Sequence, residues 1–449
     1  MTDFDASNGN RALLPAEEPT SAHLSKPLPL DFMFSGEPAP GYVTDFGSSL
    51  RSSRVKGTPR EYRSLGRIES QRHSNTGQLP IEANLVPRMI LITPDAQHIV
   101  VDWGRSVDYR DSAGGLLAAT QKTPGALLYV ANQRPYSMAN LLDWGGKPVP
   151  QARSASSLNP GTSWLSSVRI DQTRRFLFAQ AEPEPESPTN LAIQGISETF
   201  TGPNQEARSI EYYWGQPCFM FANGIDWPRF SSAIDADFWA AVVQRNGTLH
   251  VLSSAVNATG TGPSVYHRSV IPCHISDVSI IPPGIAVVEE VAPEPARFHV
   301  ELVAQDAPAT TVRYLTPHGR ELWKVTVPFG LGQPPIDCGN GRICLAGFGL
   351  ARVHEGRIEW SSKSPPLPPQ STWPTTSTGF FPPPPVRATA FQDGTLAVAE
   401  RDSLRIVAPD GGIKQDFKVG AGELITTPPA IAPDGKVWVA TQHALYCLE

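Results

Sequence analysis

The sequence predicts an all-β fold: a single β-propeller of four-stranded antiparallel sheets, with seven blades and a candidate eighth. Three observations carry this. First, one strand–turn–strand unit recurs: RYLTPHGRELWKVTV (313–327), ARVHEGRIEWSS (351–362), LRIVAPDGGIKQDFKV (404–419) and a truncated ALYCLE (444–449). Each reads as the outer hairpin of a blade, a strand followed by a tight turn and a second strand. Second, the QDG and PDG turns at Asp393 and Asp434 stand 41 residues apart (434 − 393), a blade period. Third, 45 prolines and 37 glycines punctuate the 449 residues into short runs and leave little room for long helices.

The repeat begins at Val86, and each unit opens with an inner strand, a polar turn and an apolar second strand. The openings are VPRMILITPDAQHIVVDWG (86–104), SWLSSVRIDQTRRFLFAQA (163–181), FSSAIDADFWAAVVQRNGTLHVLSS (230–254), DVSIIPPGIAVVEEV (277–291), PPIDCGNGRICLAGF (334–348), RATAFQDGTLAVAE (387–400) and PPAIAPDGKVWVAT (428–441). The third is the clearest, because Asn246-Gly247 suits a two-residue hairpin turn. Longer spacings are assigned to insertions at 124–160, 182–229 and 363–386; the ALLYVANQ strand pair in the first of them is the candidate eighth blade. The last, KSPPLPPQSTWPTTSTGFFPPPPV, excludes helix and central strand, since proline lacks the N–H donor and fixes φ, and it is expected as an extended rim loop.

Residues 1–60 form an irregular arm without a sustained period, and 61–449 form the propeller. Acids exceed bases up to Leu50, while 51–72 carries seven basic residues: Arg51, Arg54, Lys56, Arg60, Arg63, Arg67 and Arg72. The arm reads either as a docking arm anchored by Phe32 and Phe34 in PLPLDFMF (27–34), or as a tail folded back on its own propeller. The final unit has only three strands, and an unpaired seam would leave buried backbone groups unsatisfied. EYRSLGRIES (61–70) has the alternation to supply the fourth, so closure is expected there.

Apolar residues make up 40 %, charged residues 18 % and the formal charge is −6, a balance that does not select nucleic acid as a partner. The start MTDFDASNGNRALLPAEEPTS lacks a basic segment followed by an apolar run, and no window has the roughly 18–20 apolar residues of a membrane span. The five cysteines, Cys218, Cys273, Cys338, Cys344 and Cys447, are odd in number and lack CxxC spacing, which reads as free thiols in a reducing compartment. A cytoplasmic protein without nucleic-acid or membrane partners is therefore expected.

The units APDGKVWVATQHALYCLE and YLTPHGRELWKV resemble the repeat of the quinoprotein-type (PQQ-like) β-propeller superfamily. The resemblance covers most of 86–449 and implies that an aromatic residue ends each outer strand and locks neighbouring blades. Trp323 and Trp360 match that place, and Phe417 stands in for it in the sixth unit. The adjacent-cysteine pair of some enzymes in that superfamily is absent, so no cofactor is carried over.

Catalytic strings are missing: HExxH, GxSxG and a Walker-type loop do not occur, and the glycine pairs Gly330/Gly332, Gly347/Gly349 and Gly420/Gly422 lack a dinucleotide fingerprint's third glycine. Asp235 and Asp237 in AIDADFW could pair for catalysis or hold a hard cation, but an Asp at this turn bonds its own backbone, as Asp95, Asp171, Asp393 and Asp434 are placed to do. In YHRSVIPCHIS, His267, Cys273 and His274 are close in sequence, yet Cys273 and His274 would face opposite sides of a strand, as would Glu289 and Glu290. No catalytic residue or metal site is assigned. Trp373, Phe380 and Phe381, with Pro382–Pro385, either dock a partner or pack onto the rim. Two function classes follow: a non-catalytic scaffold binding protein partners through rim loops and arm, or an enzyme or ligand binder using the central channel, as propeller lactonases and quinoproteins do.

Overall fold

The computed structural model describes residues 25–28, 30–34, 38–39, 41–42, 47, 51–69, 87, 89–103, 106–121, 128–131, 134–137, 140–141, 163–170, 174–181, 192–200, 207–212, 231–234, 239–243, 249–255, 265–271, 275–289, 309–364, 375–376, 379–380 and 386–449. Among them every regular element is a strand. The arm supplies β1 (Ser25–Pro27) and β2 (Arg54–Val55), and the stretch after it supplies β3 (Leu65–Glu69).

Antiparallel sheets follow in chain order. The first is β4 (Met89–Ile92), β5 (His98–Asp102), β6 (Ser106–Asp111) and β7 (Leu116–Gln121). A three-stranded sheet comes next, β8 (Leu128–Ala131), β9 (Arg134–Ser137) and β10 (Asn140–Leu141). Then come β11 (Ser163–Ile170), β12 (Arg174–Ala181), β13 (Ala192–Phe200) and β14 (Ala207–Tyr212), and after them β15 (Ser231–Ile234), β16 (Trp239–Val243), β17 (Leu249–Ala255) and β18 (Val265–Ile271). The next two sheets are β19 (Ile275–Ile281), β20 (Gly284–Glu289), β21 (Thr310–Leu315) and β22 (Glu321–Val327), then β23 (Ile336–Asp337), β24 (Arg342–Ala346), β25 (Gly349–His354) and β26 (Arg357–Lys363). A short pair, β27 (Thr375–Thr376) and β28 (Gly379–Phe380), precedes β29 (Arg387–Phe391), β30 (Leu396–Glu400), β31 (Ser403–Val407) and β32 (Ile413–Lys418). The last chain segments are β33 (Ala430–Ile431), β34 (Val437–Ala440) and β35 (Ala444–Leu448).

The innermost strands neighbour one another in a closed cycle: β4, β8, β11, β15, β19, β23, β29, β33 and back to β4. The protein is a β-propeller, and the three-stranded sheet β8–β10 stands in the ring between β4 and β11. The seam lies in the last sheet, ordered β3-β35-β34-β33, where Leu65 pairs with Leu448 and Glu69 with Ala444 in antiparallel register.

Burial follows from this radial stacking. Inner and middle strands are covered on both faces by neighbouring sheets, so VWVA of β34 and RICLA of β24 read as apolar runs with no alternation and are buried throughout or nearly so. Outermost strands have one face and one edge in solvent, and β26 and β32 are largely exposed. The turns are fastened locally. The carboxylates of Asp95, Asp393, Asp410 and Asp434 each accept the backbone N–H two residues on, at 2.9–3.1 Å (3.0, 2.9, 2.9 and 3.1 Å).

The arm is woven through the ring. β1 lies parallel on β18, making a five-stranded sheet, and β2 lies parallel on β29, making another on the axial side. Leu28 and Phe34 are buried with Leu249, Val251, Ile280, Ile285 and Leu315, wedged where the β15–β18 and β19–β22 sheets meet. Of the two readings of the arm, the structure takes the second over these residues. It covers part of itself with them because burying a leucine and a phenylalanine contributes about 1.5–3 kcal/mol each.

Candidate functional site

The central channel is where a propeller most often places a ligand, and here part of its wall is already taken. Ser52 O and Ser53 O accept the N–H groups of Asp337 and Ala390, each at 2.8 Å, and Gly57 O accepts that of Gln392 at 3.3 Å. Ser279 Oγ donates to Arg51 O at 2.9 Å, and Ile92 N–H to Tyr42 O at 2.7 Å. Inner strands β4, β19, β23 and β29 thus spend donors on one stretch of the arm.

Four arginines of the basic run 51–67 meet carboxylates along the same path. Arg51 pairs with Asp277 at 3.2 Å, Arg54 with Asp337 at 3.1 Å, Arg60 with Asp434 at 3.8 Å and Arg67 with Glu423 at 2.7 Å. Asp277 belongs to the β19 sheet, Asp337 to the β23 sheet, and Asp434 and Glu423 flank strands of the seam sheet. Arg54 also donates to Gln392 O at 2.9 Å, just after β29, so the arginines stitch the arm to successive sheets. Tyr62 ends this path with its hydroxyl donating to Gly435 O at 2.7 Å, and burial pushes its pKa up to about 12.

A second feature lies between β26 and β29. Ser364, which follows β26, donates its N–H to Phe348 O at 3.4 Å, and Val386, which precedes β29, donates to Gly347 O at 2.7 Å. The proline-rich insertion therefore leaves and rejoins the propeller on adjacent carbonyls. At this foot two polar atoms are sealed from solvent without a hydrogen-bond partner: Ser364 Oγ and Arg387 Nε. Burial pulls the Arg387 guanidinium below the ordinary arginine value.

The candidate residues of the sequence occupy different surroundings. Phe34 is 3 % exposed, and Phe32 meets it edge-on at 5.2 Å between ring centroids, so these two anchor the arm to its own propeller; Leu30 and Met33, 95 % and 65 % exposed, are what that segment shows to solvent. Phe380 lies on β28, and Trp373 and Phe381 lie outside the described residues. So do Asp171, Asp235, Asp237, Cys218, Cys273, His274 and Glu290, while His267 lies on β18 and Glu289 pairs with Arg313 at 3.5 Å. Trp323 stacks on Tyr314 at 5.2 Å and 23°. Trp360 donates its indole N–H to Pro409 O at 3.0 Å, across to the next sheet's hairpin, and Phe417 packs against the core at the seam. Cys338, Cys344 and Cys447 are buried free thiols, and burial pushes the pKa of Cys344 and Cys447 up, which keeps both protonated and non-nucleophilic at neutral pH. Among the described residues no group of three or more His, Cys, Asp or Glu side chains could hold a metal, and no helix is long and apolar enough to cross a membrane. No sequence signal finds Arg387, because nothing in RATAF distinguishes a cation without a partner from one with a partner.

No protein-family model matches the sequence, and no curated protein matches it. Among solved structures the chain is similar to the Dos1 propeller, at 8 % identity over 80 % of this chain and 76 % of that one with a TM-score of 0.39. It is also similar to the WD40 domain of SCAP from fission yeast, at 11 % identity over 86 % and 94 % with a TM-score of 0.43, and to a eukaryotic initiation factor, at 11 % identity over 78 % and 91 % with a TM-score of 0.37. These likenesses carry no argument about what the chain does.

Proposed function

We propose that the chain is a non-catalytic cytoplasmic scaffold that binds protein partners through its rim. The proline-rich insertion 363–386, with Trp373, Phe380 and Phe381, is the principal docking element, and Leu30 and Met33 on the arm add to it. The observation that supports this reading is the arm on the axial side of β29: the inner-strand donors that a channel ligand would use are spent on Ser52, Ser53 and Gly57. In this reading β8–β10 counts as an eighth blade, and the blade sequences are of quinoprotein type without the cofactor.

The test exploits the adjacent feet of the insertion. Residues 365–385 are replaced by a short Gly-Ser linker, and partner recovery from the same cells is compared with that of the unaltered chain at matched thermal stability. Loss of specific partners supports the docking role, and undiminished recovery contradicts it.

A further inference from the structure

Five buried or half-buried arginines among the described residues bring their counter-ions with them. Arg51, Arg54, Arg110, Arg352 and Arg405 each face a carboxylate: Asp277, Asp337, Asp108, Glu359 and Glu400. Arg387 breaks the pattern. It is half-buried and faces no carboxylate among the described residues. Its Nε is sealed off without a hydrogen-bond partner, as are those of Arg51, Arg54, Arg110 and Arg352, but theirs belong to guanidinium groups whose charge is met by an acid.

Its strand explains where it sits. Along β29, Ala388 and Ala390 pack into the core with Ile336, Cys344 and Leu350, while Thr389 on the other face donates to Pro429 O at 2.6 Å. Arg387 shares the face of Thr389 and lies at the strand's first position, next to the foot of the insertion. Tyr42 of the arm is its electrostatic neighbour. Guanidinium stays charged at any ordinary pH, so it cannot escape the cost of burial by losing a proton. Leaving a cation part-desolvated without a partner is unfavourable, and a planar fork of donors is suited to a carboxylate or a phosphate. Ser364 Oγ is a second donor at the same foot without a partner.

We propose that Arg387 forms an oxyanion site at the foot of the proline-rich insertion, which receives an acidic group, carboxylate or phosphate, of the partner peptide that the insertion docks. The peptide origin of the anion rests on the docking reading above; anion binding at Arg387 does not.

The experiment follows the thermal midpoint of the full chain in chloride, in inorganic phosphate and in acetate at equal ionic strength, for the unaltered protein, Arg387→Gln and Arg387→Lys. Phosphate or acetate is expected to raise the midpoint of the unaltered chain above that in chloride, by about 3 °C at a hundredfold excess over Kd. Arg387→Lys keeps part of that response and Arg387→Gln loses it. In chloride alone Arg387→Gln should unfold no lower than the unaltered chain, because it removes an uncompensated charge. Equal responses in all three proteins, no response above chloride, or an Arg387→Gln chain that is destabilised in chloride or fails to fold would each overturn the site. A retained anion response with undiminished partner recovery after the insertion is replaced would instead overturn the docking reading and leave the site standing as one for a free oxyanion.

Discussion

Trp360 shows how one side chain couples two sheets. Its indole N–H reaches Pro409 O in the β31–β32 hairpin, and its ring lies under Gly411, where φ is +89° and an added Cβ would stand 2.8 Å from the ring. Trp323 repeats the arrangement with Gly356 at φ +75°, an added Cβ there falling 3.1 Å from the tryptophan's own Cβ. Glycine is needed at both turns for the left-handed conformation and for the close approach. Trp360→Ala is expected to cost about 1–3 kcal/mol, less than a fully buried tryptophan because one face of Trp360 is in solvent, and chemical denaturation measures it. Gly411→Ala should destabilise by a similar amount through strain and clash together. Tyrosines give a pH signature. Burial pushes Tyr62 and Tyr314 up to about 12 from an unfolded value near 10, so the folded state holds protons that the unfolded state releases. Stability from both groups is complete below about pH 10 and is lost as pH rises towards 12, and a denaturation series across that range should show the fall, reduced in Tyr314→Phe.

At the level of elements, the arm is the feature that sequence patterns reveal least. β3 has five residues, and the alternation in EYRSLGRIES is long enough to read from the residues alone. β1 and β2 have three and two residues, too few for a period, and they pair in parallel with strands more than 200 and 300 positions away. Phe34 reads either as a docking anchor or as part of a tail folded back on the propeller, because exposed and buried phenylalanines are indistinguishable in an irregular segment. The basic run 51–67 likewise gives no sign of which acids it meets, since Asp277, Asp337, Glu423 and Asp434 are distant in the chain. The Asp turns, by contrast, are legible, because their hydrogen bonds span two residues. Two substitutions test the stitching. Asp337→Asn keeps the acceptor for Gly339 N–H at 2.7 Å but weakens the hold on Arg54, and should cost about 1–3 kcal/mol. Glu423→Gln disturbs a buried carboxylate that accepts from both Arg67 and Thr441, and should loosen β3 on β35 more than it loosens β34, which hydrogen exchange resolves.

At the scale of the whole molecule, the all-β class and the propeller are legible in the recurring hairpin and the 41-residue spacing between Asp393 and Asp434. The place of β8–β10 in the ring is legible only as the candidate eighth blade at ALLYVANQ, because a three-stranded sheet with a two-residue last strand lacks most of the repeat's signature. The candidate site is half legible. Proline in 363–386 excludes helix and central strand, and the described part of the insertion is the short β27–β28 pair, whereas the coming together of its two ends on Gly347 and Phe348 depends on contacts that no local pattern encodes. What unites the scales is a ring fastened by its own N-terminal residues, with β2 on the axial side and β1 and β3 on the outer edges of their sheets. Hydrogen–deuterium exchange of the full chain tests this most directly. Peptides covering 51–57 and 65–69 should exchange as slowly as those of β29 and β35, on which they lie. If both peptides reach full deuteration at the shortest labelling time while β29 and β35 remain protected, these N-terminal residues are not part of the ring.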